Sequence, residues 1–371
     1  MRRAAFVYEE AQSKHVLRED HVFRPNRLQL TYELLQAYGA FDVTRPVPPV
    51  TAGEADILSF HTPEYVAAVK DLSKGIERRD AAHFNISEHG DNPPFEGMYE
   101  ISALAVGASV TAARLVADGE ADAAFNISGG LHHAAPGYAS GFCIFNDAVI
   151  AIMTLLERGL RVAYIDIDAH HGDGVQDAFY RSDRVLTVSL HEWGRFLFPG
   201  GGMAGDIGEG PGKGYAVNVP LFPNTDDVTY LETFRQVVPP LVKKFSPDIM
   251  VTQIGCDTHY LDPLTHLMLT TDGYTAVLKE ISGLCPRWVA IGGGGYEMGV
   301  VPRMWALAYG VMAQCEWPDD IPAVFSERYG LHHLRDKGMP AIGNALREQA
   351  RRFDAEVVAE VKRTVFPLHG L

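Results

Sequence analysis

The segment IDIDAHHGDG, Ile165–Gly174, packs three aspartates and two histidines into ten residues directly behind the apolar run RVAY. Carboxylates and imidazoles are costly to bury without partners. Asp166, Asp168 and His170 are spaced by two, which on an extended segment turns all three side chains to one side. A carboxylate and an imidazole presented together suit zinc or another divalent ion rather than copper(I) or an iron–sulfur cluster. Asp257, just past another apolar run, would add a third donor. Three protein ligands leave one coordination position open, as in catalytic zinc sites. The competing reading, a salt-bridged network of buried acids, lacks a cation, because no Lys or Arg stands between Asp166 and Asp177.

Upstream, SGGLHHAAPGYASGFCIFND, residues 128–147, carries His132 and His133 in a Gly-rich loop. One can take a proton from an activated water while the other stabilises developing charge. Each needs an orienting carboxylate, and Asp166 and Asp173 are free for that work. A pair of adjacent histidines is more often ordinary, and His332-His333 is read that way. His171 is expected to face away from the metal. His15, His21, His61, His83, His89, His259 and His266 are taken as surface or structural residues. The run GGGGYE, Gly292–Glu297, permits close backbone approach. It lacks a following Lys-Ser/Thr, so a phosphate loop fits poorly. Tyr296 at its end can donate its hydroxyl to an oxyanion beside the metal.

These residues need a frame. The runs 161–167, 184–190, 248–255 and 287–293 read as fully buried strands, and 97–117, 145–158, 226–244 and 271–284 as helices, the first so apolar that it should be largely buried. Such alternation predicts a parallel sheet covered on both faces. The polar clusters follow three of the strands, where ligands of open α/β sheets sit.

With 371 residues, 47% of them hydrophobic, and no linker or repeat, the chain predicts one large domain. The formal net charge of −15 and the absence of a Lys/Arg cluster exclude sequence-independent nucleic-acid binding. The four cysteines show no CxxC spacing, which fits a reducing cytosol. MRRAAFVYEE carries acids where a signal peptide needs apolar length, and no apolar run reaches the ~18 residues of a membrane span. A cytoplasmic protein without membrane attachment is expected.

HHAAPGYASGFCIFND, DIDAHHGDGVQDAFY, VSLH, GCDTHYLDP and GGGGY occur in this order. Together they resemble the metal-dependent histone deacetylase family, in particular its bacterial acetoin-utilisation (AcuC-type) members, from roughly Tyr8 to Gln314. The resemblance implies a single-domain arginase-like α/β fold with a parallel eight-stranded sheet, helices on both faces and the active site at the carboxyl ends of the strands. Residues 1–315 would form the catalytic domain and 316–371 a helical extension. The implied zinc ligands are Asp168, His170 and Asp257, with iron(II) the alternative metal. His133 would be general base and acid, oriented by Asp173; His132, paired with Asp166, its electrostatic partner; and Tyr296 the residue that polarises the acetyl carbonyl. Gly141 would accept from the substrate amide, Phe142 and Phe198 would wall a tunnel for the lysine stem, Asp91 would grip the substrate backbone, and Arg27 would stand near a product exit. Two potassium sites are implied, one at Asp166, Asp168, His170, Ser189 and Leu190, the other at Phe179, Ser182, Val185 and Tyr215.

The implied reaction is hydrolysis of the acetyl amide of N-ε-acetyl-lysine in a protein or peptide, releasing acetate, with a metabolic protein such as acetyl-CoA synthetase as substrate. An acetylpolyamine amidohydrolase shares the catalytic set, but such relatives place an acid near the mouth, where this chain has Leu264. A dimanganese ureohydrolase needs a carboxylate two residues after Asp257, and none is there. A non-catalytic acetyl-lysine reader would have lost Tyr296, His133 or a metal ligand. Residues 317–371 lack a long acidic or basic tract and offer an amphipathic helix around 340–363, expected to pack on the domain or on a second subunit; a nuclear corepressor role is not expected. The chain is expected to be a monomer or small homo-oligomer.

Overall fold

The four apolar runs form the middle and one flank of a single sheet in the computed structural model, which describes residues 2–42 and 44–371. Its strands are β1 (Ala4–Val7), β2 (Ala123–Asn126), β3 (Val162–Asp166), β4 (Val185–Glu192), β5 (Ala216–Leu221), β6 (Ile249–Gln253) and β7 (Trp288–Ile291). All pairs are parallel, in the order β1-β2-β7-β6-β3-β4-β5. The expected eighth strand is not formed among the described residues. Where it would flank β1 there is one parallel bridge, Val7 to Val47. The Val47 N–H donates to Phe6 O at 2.8 Å and the Tyr8 N–H to Val47 O at 3.1 Å. Pro46, Pro48 and Pro49 surround Val47, and proline has no N–H with which to continue a ladder.

Side chains alternate across each strand, and the sheet accordingly separates two cores. Val162 and Tyr164 of β3 pack with helices Met98–Ala117 and Asp147–Glu157, whereas Ala163 and Ile165 pack with helices Asp227–Phe245, Thr271–Ser282 and Val301–Ala313. Helix starts are fixed by side-chain caps: Asn146 accepts from Val149 N, Asp226 from Thr229 N and Thr270 from Gly273 N. By length and composition Met98–Ala117 could cross a membrane, contrary to the expectation that no segment would. It is instead mostly buried, between helix Asp147–Glu157 and strand β2. Helix Asn344–Thr364 packs on β5 and on helix Asp227–Phe245. Its Asp354 is fully buried and accepts from Phe222 N at 2.9 Å and Thr225 Oγ1 at 2.6 Å.

Candidate active site

Four neighbouring strands, β2-β7-β6-β3, end on one edge and hand over the polar clusters. Asp166 closes β3, Asp168 and His170 follow it, Asp257 lies beyond β6, and Gly292–Tyr296 follow β7. His132 and His133 come from the loop after β2. That loop is held by the start of the next helix: Asn146 Nδ2 donates to His132 O and Ala134 O, and the buried Asp147 accepts from Gly130 N and Leu131 N.

The Asp168, His170 and Asp257 donor atoms lie within 4.8 Å of one another and all three residues are buried. His170 Nδ1 stands 3.1 Å from Asp168 Oδ1 and 2.8 Å from Asp257 Oδ2. Outer bonds fix the carboxylates: Asp168 Oδ2 accepts from Gln253 Nε2 at 2.5 Å and Gly294 N at 2.7 Å, and Asp257 Oδ1 accepts from Ala169 N at 2.8 Å. Burial and the Asp168 charge push Asp257 up to about 8. Burial opposes a charged His170, but its bonds to Asp168 and Asp257 prevail and raise it to about 10. Two buried carboxylates facing one imidazole, with no Lys or Arg bonded to them among the described residues, form a set whose charge a divalent cation would balance. Gly294 must be glycine, since a Cβ there would run into the Asp257 and Asp168 carboxylates.

His132 Nδ1 is 2.8 Å from Asp166 Oδ2, which also accepts from Tyr164 OH, and His133 Nδ1 is 2.7 Å from Asp173 Oδ1. Burial disfavours charge on His132, but Asp166 and Asp168 outweigh it and raise it to about 9. Burial, then the neighbouring His132, lower His133 to about 4. His133 therefore keeps its proton at Nδ1, against Asp173, and presents Nε2 as an acceptor. Tyr296 stacks edge-on to Phe142 and lies 6.4 Å, ring to ring, from His170. Burial, then Asp257 and Asp168, hold its hydroxyl well above the usual 10, so it is a proton donor at neutral pH.

One narrow cavity is lined by His132, His133, Gly141, Phe142, Asp168, His170 and Tyr296. Gly141, at φ +51°, is wedged between His133 and Phe198, with no room for a Cβ. Phe198 meets His133 edge-on at 5.0 Å and is 44% exposed, so it stands at the rim. Asp91 is exposed, with its carbonyl 3.2 Å from His21 Nε2. Leu264 is half-buried in the loop after Asp257 and does not line the cavity. Arg27 is buried and donates to Gly295 O at 2.6 Å and Gly293 O at 2.7 Å. It lines a second chamber that shares Phe23, Leu131 and Phe142 with the first.

Ser189 pairs with Asp166 across β4 and β3, and Leu190 follows it, so the first implied potassium set is contiguous. The second set lies at the opposite strand ends: Val185 opens β4, Ser182 N donates to Phe179 O, and Thr187 N donates to Tyr215 O. His171 turns away from the donor set, toward Gln176 and His191. His259 is buried, 2.9 Å from Asp336, and is thus structural rather than on the surface, within the expected pair of alternatives. Gln253, Asn146 and Asp147 were not singled out from the sequence. A polar Thr-Gln end to an otherwise apolar strand, and an Asn-Asp at a helix start, are the available signals.

The histone deacetylase domain family matches residues 21–312. The chain belongs to that family. It is 40% identical to the acetoin utilization protein AcuC of Bacillus subtilis (strain 168) over 330 residues, 87% of this chain and 85% of that protein. It is likewise 40% identical over 311 residues to AcuC of Staphylococcus aureus (strain MSSA476), covering 82% of this chain and 80% of that one. Histone deacetylase RPD3 of Saccharomyces cerevisiae is 36% identical over 331 residues, 88% of this chain and 75% of its own length. Within the family this is an AcuC-type member, a hydrolase of the deacetylase class.

Proposed function

We propose that the chain hydrolyses the acetyl amide of N-ε-acetyl-lysine in a protein or peptide, with zinc at Asp168, His170 and Asp257. The carrying observation is His133, whose Nδ1 is backed by Asp173, whose Nε2 meets His132 Nε2, and whose ring lines the cavity that holds the donor set and Tyr296. A divalent ion in that set supplies Lewis-acid activation of water and of the acyl carbonyl. His133 Nε2 takes the proton of the attacking water, and Asp173 steadies the imidazolium. The Tyr296 hydroxyl donates to the acyl oxygen as it gains charge. His132, held charged by Asp166, adds a positive field, and His133 then returns its proton to the departing amine. Phe142 and Phe198 flank the lysine stem, Gly141 O receives the amide N–H, Asp91 meets the substrate backbone, and Arg27 borders the route for acetate. The two sets named above would hold potassium, and iron(II) is the alternative active-site metal. The acetoin-utilisation relatives direct the substrate search to metabolic proteins such as acetyl-CoA synthetase, and a cytoplasmic location belongs to the same reading.

The second reading, an acetylpolyamine amidohydrolase, keeps every catalytic role and differs at the mouth, where Leu264 offers no acid. A dimanganese site is disfavoured because the residue two after Asp257, His259, is bonded to Asp336. The deciding test compares kcat/KM for an acetyl-lysine peptide and an acetylated diamine on metal-defined protein, with Tyr296→Phe as background. Preference for the diamine would replace the substrate assignment; turnover of neither would remove the amide-hydrolysis reading.

A further inference from the structure

Asp262 stands outside the metal set and the histidine pair, in the loop after Asp257, yet it is buried (8% exposed). Its Oδ2 accepts from the Tyr296 N–H at 2.9 Å, and its Oδ1 from the Leu264 N–H at 2.9 Å. No Lys or Arg is bonded to it among the described residues, and burial pushes its carboxyl up to about 6. A carboxylate without a cation is an expensive way to satisfy two amides at a turn. What it gains is a charged acceptor on the backbone of Tyr296.

That backbone needs holding. Tyr296 follows Gly293 and Gly295, at φ +130° and +128°, where the chain has little stiffness of its own. The carbonyls of both glycines are gripped by Arg27, and the Gly294 N–H by Asp168. The Tyr296 N–H is the last unit of the run, and its acceptor is Asp262. The base of the Asp262 loop is fixed in turn, since the Asp262 N–H donates to His259 O at 2.8 Å and His259 is anchored by Asp336.

We propose that Asp262 is a positioning residue: through the two oxygens of one carboxylate it fixes the backbone of Tyr296 beside the metal set and ties it to that of Leu264 in the loop after Asp257. The proposal rests on the acyl-oxygen role given above to Tyr296. The test is steady-state kinetics of metal-loaded enzyme on the acetyl-lysine peptide, for Asp262→Ala and Asp262→Asn, each alone and combined with Tyr296→Phe. Metal content is measured alongside. Expected for Asp262→Ala is a kcat lower by roughly tenfold to a hundredfold, the scale of a misplaced rather than deleted donor, with KM within about threefold. Asp262→Asn keeps one acceptor and should fall between. In the Tyr296→Phe background either substitution should change kcat less than about twofold, because residues acting as a unit are non-additive. Equal losses in both backgrounds, or activity that falls in step with bound metal, would overturn the proposal. If Asp262→Ala yields no soluble protein, the near-isosteric Asp262→Asn carries the cycle. An inactive wild type would instead remove the functional reading beneath it.

Discussion

The Nε2 atoms of His132 and His133 stand 3.0 Å apart, each ring backed by its own aspartate. Two imidazolium ions cannot share that distance in a buried site, and their proton affinities diverge, to about 9 for His132 and about 4 for His133. One ring is a fixed charge and the other a neutral acceptor facing its Nε2 proton, a division of labour set by environment alone.

His133→Ala should lower kcat/KM by roughly 10²–10⁴, the range for loss of a general base, with metal content unchanged. Asp173→Asn should cost less, because the ring remains. Parallel turnover and metal assays check both, and a His133→Ala enzyme of near wild-type rate would displace His133 from the mechanism.

Tyr296→Phe removes only a hydroxyl. The expected loss is about 10²–10³ in kcat, as for an oxyanion donor, with KM nearly constant. A change confined to KM would mean that Tyr296 merely binds substrate.

Asp257→Asn should weaken the divalent ion by more than roughly a hundredfold, beyond what loss of an outer-sphere partner costs. Added metal should raise the wild-type Tm and leave the variant's unmoved. The metal-free variant should melt close to metal-free wild type at neutral pH, since Asp257, raised to about 8, is there already largely uncharged and the amide changes no charge. Calorimetry with and without metal measures all three.

Asp354, fully buried, has its pKa raised to about 7, chiefly by burial. An acid with a higher pKa folded than unfolded takes up protons on folding. Its contribution is fully present below the ordinary aspartate value near 4 and is lost as pH rises through about 7. Between about pH 5 and 8, wild type should lose about 2 to 3 kcal/mol relative to Asp354→Asn. Urea unfolding of both proteins at the two pH values tests this, and a pH-independent difference would show that Asp354 does not titrate there.

Sequence pattern located the central strands within a residue or two, from 161–167 for β3 to 287–293 for β7, because a strand buried on both faces is a bare apolar run. It passed over β1 and β2, whose AAFV and AAFN are too short and alanine-rich to stand out, and β5, where Asn218 and Pro220 interrupt the pattern. The metal set was legible because Asp168, His170 and Asp257 are chemically odd where they stand. Asp262 and Asp354 were not, since their partners are backbone N–H groups and a threonine far along the chain. No local spacing announces a carboxylate that serves amides.

The prolines around Val47 do more than shorten a strand. Val47 spends its own N–H and C=O on β1, and Pro46, Pro48 and Pro49 offer no donors outward. The opposite border strand, β5, contains Pro220 and lies under helix Asn344–Thr364. Both borders are thereby poor templates for another chain's backbone. The sheet is guarded against the edge-to-edge stacking that seeds fibrils.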